Sequence, residues 1–362
     1  MKVLLVGAAS SVHVMRWANA FAQRNLRVHV ATQHDPAPGY APSVVMHRLP
    51  HWGGAGYVLG RSALRSIVRA VRPDVMNAHY ASGYGTLAVR EPDVPLVLNV
   101  WGSDVYEFPD KSRWHHKLLC RNLLRADRVV STSEVMAHRT KTVCPTLDRI
   151  TVVPFGVDMD RFTPRQVHAA TSGVVVGTVK TLAPKYGIDT LIRAFERYLH
   201  FMPSDLTTTL RIVGKGPQRE ALEALAFTLG CTSRIRFVGA VPHEKVPDEL
   251  RSMDVFVALS RADSESFGVA VIEAGACGLP VLVSDVGGLP EVVADGVTGR
   301  IVPHDDVEAA AHALVDLITD ASLRKQWGAS ARERVATHYS WDRCVDRMIA
   351  VLEEARHAAD RT

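Results

Sequence analysis

Two glutamates, Glu265 and Glu273, flank a small-residue turn and an apolar run in Glu265-Ser-Phe-Gly-Val-Ala-Val-Ile-Glu273. The preceding Asp254-Val-Phe-Val-Ala-Leu-Ser260 is short and apolar, as expected of a strand buried on both faces. Arg261 to Ser266 form a polar loop. Val269, Ile272, Glu273 and Ala276 then recur at helical spacing until Gly278-Leu-Pro280 supplies a stop. A strand-to-helix turn of this kind points the amides of Phe267, Gly268 and Val269 at whatever lies over the sheet. With the positive end of the helix dipole, they favour a phosphate or a sugar hydroxyl. Gly268 lets a ligand approach the backbone closely. Glu273 is placed to accept from a ribose diol and Glu265 from sugar hydroxyls, both through charge-assisted bonds. Taken singly, each glutamate better fits an ordinary solvated acid near a helix start; it is the whole pattern that favours a site.

A second constellation lies upstream. Lys180 and Lys185 follow the strand-like Val174 to Thr178 and precede a helical pattern from Thr190 to Leu199. A pair of cations in a loop between a strand and a helix is a candidate phosphate contact, and removing one such electrostatic contact costs on the order of 3 kcal/mol.

The whole pattern resembles glycosyltransferase family 4, retaining enzymes of the GT-B fold, of the kind involved in bacterial surface polysaccharide or glycolipid assembly. Their signature is a glutamate pair separated by seven residues around such a turn. The resemblance implies that Glu265 contacts the transferred sugar and Glu273 the nucleotide ribose. The family carries an Arg and a Lys five residues apart at the lysine site, the Lys directly before Gly. Here Tyr186 intervenes before Gly187, so the division of roles between Lys180 and Lys185 stays open. Phe237-Val-Gly239 resembles the segment that cradles the nucleobase through backbone groups. Asp285-Val-Gly-Gly-Leu-Pro-Glu291 resembles the turn beside the diphosphate.

These residues must be positioned by sheets. Apolar runs at 3–6, 27–31, 75–78, 96–100, 128–131 and 150–153 alternate with amphipathic helices. The cycle restarts at 174–178, 208–213, 234–238, 255–260 and 281–284. The expected fold is α/β, two tandem doubly wound Rossmann-like domains. The GT-B resemblance implies that they face a central cleft. Turn formers in Pro154 to Pro164 mark a linker. The expected domains are therefore 1–165 and 166–340, which the resemblance implies bind the acceptor and the nucleotide sugar respectively. The resemblance implies that a last helix, about 341–358, packs back on the first. Asp158-Met-Asp160 in the linker mimics a metal-binding pair but is read as a local turn.

The first domain is less typical. Ser10, in the loop after the first strand, offers a small donor to the nucleotide sugar, and His13 follows it. His79 ends a strand at the carboxyl edge of the sheet, where open α/β sheets take ligands. Trp101, with Asp104 nearby, stands where many family members carry a His near the transferred sugar. His13, His79, Trp101 and Asp104 are the candidate acceptor-side residues. An indole cannot act as a base, which puts a general-base role for the first domain in doubt; the resemblance implies the front-face mechanism proposed for such retaining enzymes, in which the departing phosphate oxygen takes the acceptor proton.

Composition sets the outer limits. With 362 residues, two domains are expected; 47% hydrophobic and 22% charged residues suit a soluble globular protein. No apolar run approaches the roughly 18 residues of a membrane span. Met1 to Gly7 reads as a first strand rather than a signal peptide. Cys120, Cys144, Cys231, Cys277 and Cys344 show no metal-ligand spacing and suit a reducing cytoplasm. Residues 1–161 hold 20 Lys+Arg and 12 Asp+Glu, a net +8, within a chain of net +4. Their densest stretch runs from Lys111 to Arg128 and carries Trp114 and four leucines. One reading is an interfacial helix on an anionic inner-membrane surface. The other is a surface helix with inward leucines. Nucleic acid finds no recognition motif. The expected function is a cytoplasmic, metal-independent, retaining hexosyltransferase, peripheral on the membrane, with no cofactor beyond its nucleotide sugar and a glycan or lipid-linked acceptor. A sugar-nucleotide epimerase of the same fold and a non-catalytic nucleotide-sugar-binding scaffold are the alternatives.

Overall fold

The computed structural model describes residues 1–50, 53–54, 56–91, 93–165, 173–202 and 207–359. Residues 166–172, where the second domain is expected to begin, lie outside them. The chain divides into two compact units, Met1–Pro154 with Arg343–Thr362, and Phe155–Asp342.

The first unit contains β1 (Lys2–Val6), β2 (Arg27–Thr32), β3 (Val45–Arg48), β4 (Val75–His79), β5 (Leu96–Asn99), β6 (Arg128–Ser131) and β7 (Ile150–Val152). They form one parallel sheet in the order β3-β2-β1-β4-β5-β6-β7. Leu4, Val6, Met76, Ala78, Leu96 and Leu98 project from the strands into one core with Leu64, Leu87, Leu119 and Leu123 of the covering helices. Each such side chain contributes about 1.5–3 kcal/mol on burial. The strands are apolar on both faces because helices cover both, which is why they read as continuous runs rather than alternating ones.

The second unit repeats the plan with β8 (Val174–Val179), β9 (Thr208–Val213), β10 (Ile235–Gly239), β11 (Val255–Ala258), β12 (Val281–Ser284) and β13 (Gly299–Val302), in the order β10-β9-β8-β11-β12-β13. Its core joins Val176, Leu210, Ile212 and Val257 to Leu191, Phe195, Leu314 and Trp327. Its last two complete helices, Val307–Thr319 and Ala321–Tyr339, start at side-chain caps. Asp306 accepts from the Ala309 amide and Asp320 from the Leu323 amide, both at 2.9 Å. Two edge strands, β3 and β13, were not among the runs expected from sequence. Both are four residues long and are paired on one side only, so neither carries the continuous apolar run of a central strand.

Each sheet reverses its winding once, between β1 and β4 in the first unit and between β8 and β11 in the second. At such a switch point the loops leaving the two strands diverge and open a crevice beyond their carboxyl ends.

The final helix, Trp341–Ala359, buries Cys344, Val345, Met348, Val351, Leu352 and Ala355 along one stripe. From Arg343 onward it clusters with the first unit, where Arg347 donates to the Val152 carbonyl at 2.7 Å and Arg24 pairs with Asp346.

Candidate active site

The second unit's switch point carries most of the candidate chemistry. Lys180 is the first residue beyond β8, and Glu265 lies in the loop that leaves the neighbouring β11. Lys180 Nζ is 2.7 Å from Glu265 Oε2, and the Ser260 hydroxyl donates to the same oxygen at 3.3 Å. The two side chains are 10% and 12% exposed, so the pair is desolvated enough to hold a defined geometry. Lys185 follows in the short turn Pro184–Tyr186 and is exposed. The Tyr186 ring lies 4.9 Å from Lys180 Nζ and 5.0 Å from Lys185 Nζ, so one aromatic face system attracts two cations that would otherwise repel. The inserted tyrosine thus becomes the common neighbour of both lysines.

The turn after Glu265 is shaped by what its side chains bury. Phe267 sits between the rings of Phe155, at 6.3 Å, and Tyr339, at 5.6 Å. With that side chain anchored, the backbone runs into Gly268, which caps the helix Val269–Ala276 at φ +88°. A Cβ there would approach Leu289 Cδ2 to 2.8 Å. The first amides of this helix have no in-helix acceptor. Gly287 and Gly288 lie against the same turn: the Gly288 amide donates to the Glu265 carbonyl at 2.9 Å. Glu273, two turns along, is buried, and His243 Nε2 donates to its Oε1 at 3.1 Å. Gly239 ends β10 at φ +89°, its carbonyl taken by the Gly214 amide at 2.8 Å.

In the first unit the candidates gather at the other switch point. Ser10 is exposed in the turn after β1, and His13 lies in the first turn of the helix Val12–Gln23. His79 ends β4 and is 1% exposed, with neither ring nitrogen bonded among the described residues. Burial, aided by the nearby His13, pushes its pKa down to about 3, so the imidazole is neutral. Trp101 is the hub: its ring lies 4.6 Å from His79, 5.8 Å from His13 and 6.1 Å from Tyr80. Asp104 faces inward. Its carboxylate accepts the amides of Ala81 at 2.9 Å, Trp101 at 3.1 Å and Gly102 at 2.9 Å, which fixes the loop that presents the indole. Burial raises its pKa and these amides oppose the shift.

In the linker, Asp158 Oδ1 accepts the amides of Asp160 and Arg161 at 3.0 and 3.1 Å, a local turn. Among the described residues no group of three or more His, Cys, Asp or Glu side chains could hold a metal ion.

Two positioning side chains escaped the sequence reading, His243 beneath Glu273 and Arg261 beside the lysine turn. Neither belongs to a spaced motif, and only the parallel sheet brings them to their partners.

Two family models match the chain, "Glycosyl transferase 4-like" over residues 2–133 and "Glycosyl transferases group 1" over residues 160–334. A GDP-mannose-dependent alpha-(1-6)-phosphatidylinositol monomannoside mannosyltransferase of Mycolicibacterium smegmatis is 32% identical over 76% of this chain and 74% of its own length. This chain belongs to the glycosyltransferase group 1 family, with a family 4-like first half. A D-inositol 3-phosphate glycosyltransferase of Kribbella flavida is 31% identical over 78% of this chain and 71% of that protein. Among solved structures, sucrose-phosphate synthase of Thermosynechococcus elongatus superposes with a TM-score of 0.83 at 21% identity, covering 99% of this chain and all of that one. Anabaena HepE in complex with UDP gives 0.83 at 18% identity, covering 98% of this chain and 100% of that chain. These likenesses show the fold of this glycosyltransferase to be GT-B, two Rossmann-like domains.

Proposed function

We propose that this glycosyltransferase is a retaining, metal-independent enzyme that moves a hexose from a nucleotide diphosphate sugar to a glycolipid or other lipid-linked acceptor. The observation that carries the reading is the Lys180–Glu265 pair with Lys185 beside it across Tyr186, at the switch point of the second sheet. In this reading Glu265 holds the transferred sugar, Glu273 the ribose, and the amides of 267–269 with Lys185 receive the charge of the leaving diphosphate. Lys180, bound to Glu265, holds that carboxylate in a fixed orientation. Gly239 lines the base side. His13, His79 and Trp101 form the acceptor side, where the indole stacks on a sugar or cyclitol face; Asp104 holds that indole in place. The relatives' GDP-mannose and inositol-containing acceptors make GDP-mannose and phosphatidylinositol glycolipids the first compounds to try.

The acceptor class brings a location with it. Among the described residues no helix is long and apolar enough to cross a membrane. The helix Arg113–Leu124 leaves Trp114 62% and Leu124 52% exposed beside Lys117 and Arg121, and residues 111–126 contain no acid. Its buried Leu119 and Leu123 face the core, so the helix serves both readings, packed on one side and suited to an anionic surface on the other. In this reading the enzyme is cytoplasmic and peripheral, and sediments with anionic vesicles. Lys117→Glu with Arg121→Glu should reduce that sedimentation at least tenfold at low salt.

The test of function is a panel of GDP-, UDP- and ADP-sugars with and without EDTA, followed by thermal stabilisation and by transfer to a glycolipid acceptor. Selective stabilisation and transfer that survive EDTA, with the α-anomer of the donor retained in the product, support the reading. Loss of transfer on chelation, or an inverted anomer, overturns it.

A further inference from the structure

The loop leaving β11 carries Arg261, whose guanidinium reaches three segments at once. Its Nη2 donates to Asp189 Oδ2 and to Thr190 Oγ1, each at 2.7 Å, at the start of the helix Ile188–Phe201. Its Nη1 donates to the Pro184 carbonyl at 3.3 Å, and its Nε to Asp305 in the turn after β13. Thr190 closes the ring with a bond to Asp305 Oδ1 at 3.1 Å. The backbone joins in: the Arg261 amide donates to the Lys185 carbonyl at 2.8 Å. A Cβ on Gly187 would lie 1.8 Å from the Leu259 carbonyl, so the turn bearing Lys185 rests directly on the end of β11. Four residues beyond Arg261 stands Glu265, the partner of Lys180. One planar fork therefore ties together loops from three strand ends, which a single ammonium could not do.

We propose that Arg261 is a positioning residue for the transfer step: it fixes the Lys185 turn against the Lys180–Glu265 pair, so that the Lys185 ammonium meets the leaving diphosphate in a set place. This rests on the reading of Lys185 as the diphosphate cation. A long lysine on a loosened turn still finds the bound diphosphate in the ground state. It loses its fixed aim as charge develops, and a misplacement of about 1 Å can cost about 100-fold in rate.

The experiment is a double-mutant cycle on the full chain with the nucleotide sugar that the wild type turns over. Arg261→Ala should lower kcat by roughly 100-fold, leave the donor KM within about threefold, and leave the circular dichroism spectrum unchanged. Arg261→Gln, which keeps one donor, is the second variant should the alanine fail to fold. In a Lys185→Ala background the Arg261 change should cost less than about threefold more, because no ammonium remains to be aimed. Wild-type kcat in Arg261→Ala would overturn the proposal. So would equal losses in both backgrounds, which would make Arg261 a support of the fold alone. Full activity in Lys185→Ala by itself would sink the lysine assignment beneath it, a separate and distinguishable failure.

Discussion

At the scale of single residues, Glu265 draws its behaviour from Lys180 and the Ser260 hydroxyl, both of which bond to the same carboxylate oxygen. Gln in its place keeps an acceptor for both donors, so Glu265→Gln should fold with little change in melting temperature. On the role proposed for Glu265 it should lose about 100- to 1,000-fold in kcat, because the carboxylate charge set against the developing sugar cation is gone. Steady-state transfer rates beside a thermal melt separate the two effects. His79 makes a different prediction. Its pKa is lowered from 6.5 to about 3 in the native protein, so between those values the unfolded chain binds a proton that the native one does not. Stability from this group is therefore fully present above pH 6.5 and is lost progressively as the pH drops toward 3. His79→Phe, which retains an aromatic contact for Trp101, should flatten that part of the slope. Urea unfolding of both proteins at about pH 7 and about pH 5 measures it, and parallel slopes would count against a buried neutral imidazole. Glu265, Glu273 and the lysine pair were visible in sequence because their spacing follows from a strand, a turn and a helix start. His243 and Arg261 were not, because each acts on a partner 30 or more residues away.

At the scale of elements, the site is a turn held by another turn. Gly287 has φ +54°, and a Cβ there would stand 2.2 Å from the Glu265 carbonyl oxygen and 3.0 Å from that of Asp263. Gly287→Ala must push the Glu265 loop away as well as strain its own backbone. We expect a loss of about 2–3 kcal/mol in unfolding free energy and a fall in kcat larger than that of a remote alanine substitution. Thermal unfolding and donor turnover of this one variant check both. The central strands were legible as largely apolar runs, since helices cover both faces of each sheet. β3 and β13 were hidden by the same rule, because an edge strand needs no such continuity.

At the scale of the molecule, the last helix decides whether the first unit is complete. Ending the chain after Asp342 removes Cys344, Val345, Met348, Val351, Leu352 and Ala355 from contact. At about 1.5–3 kcal/mol for each large side chain the loss is about 10 kcal/mol, as much as a whole domain's stability. The truncated protein should show a cooperative thermal transition for the second unit and none for the first; two intact transitions would contradict this account. By itself the sequence determined the α/β class, the repeat of the winding, the glutamate turn and the lysine pair, because these depend on local periodicity and on spacing along the chain. Only the tertiary structure decided that Lys180 belongs to Glu265, that Tyr186 serves both lysines, that Asp104 turns inward and that Arg261 joins three loops. Those pairings are made across neighbouring strands and between loops distant in sequence, and spacing along the chain carries no information about which side chains two parallel strand ends will bring within 3 Å of one another.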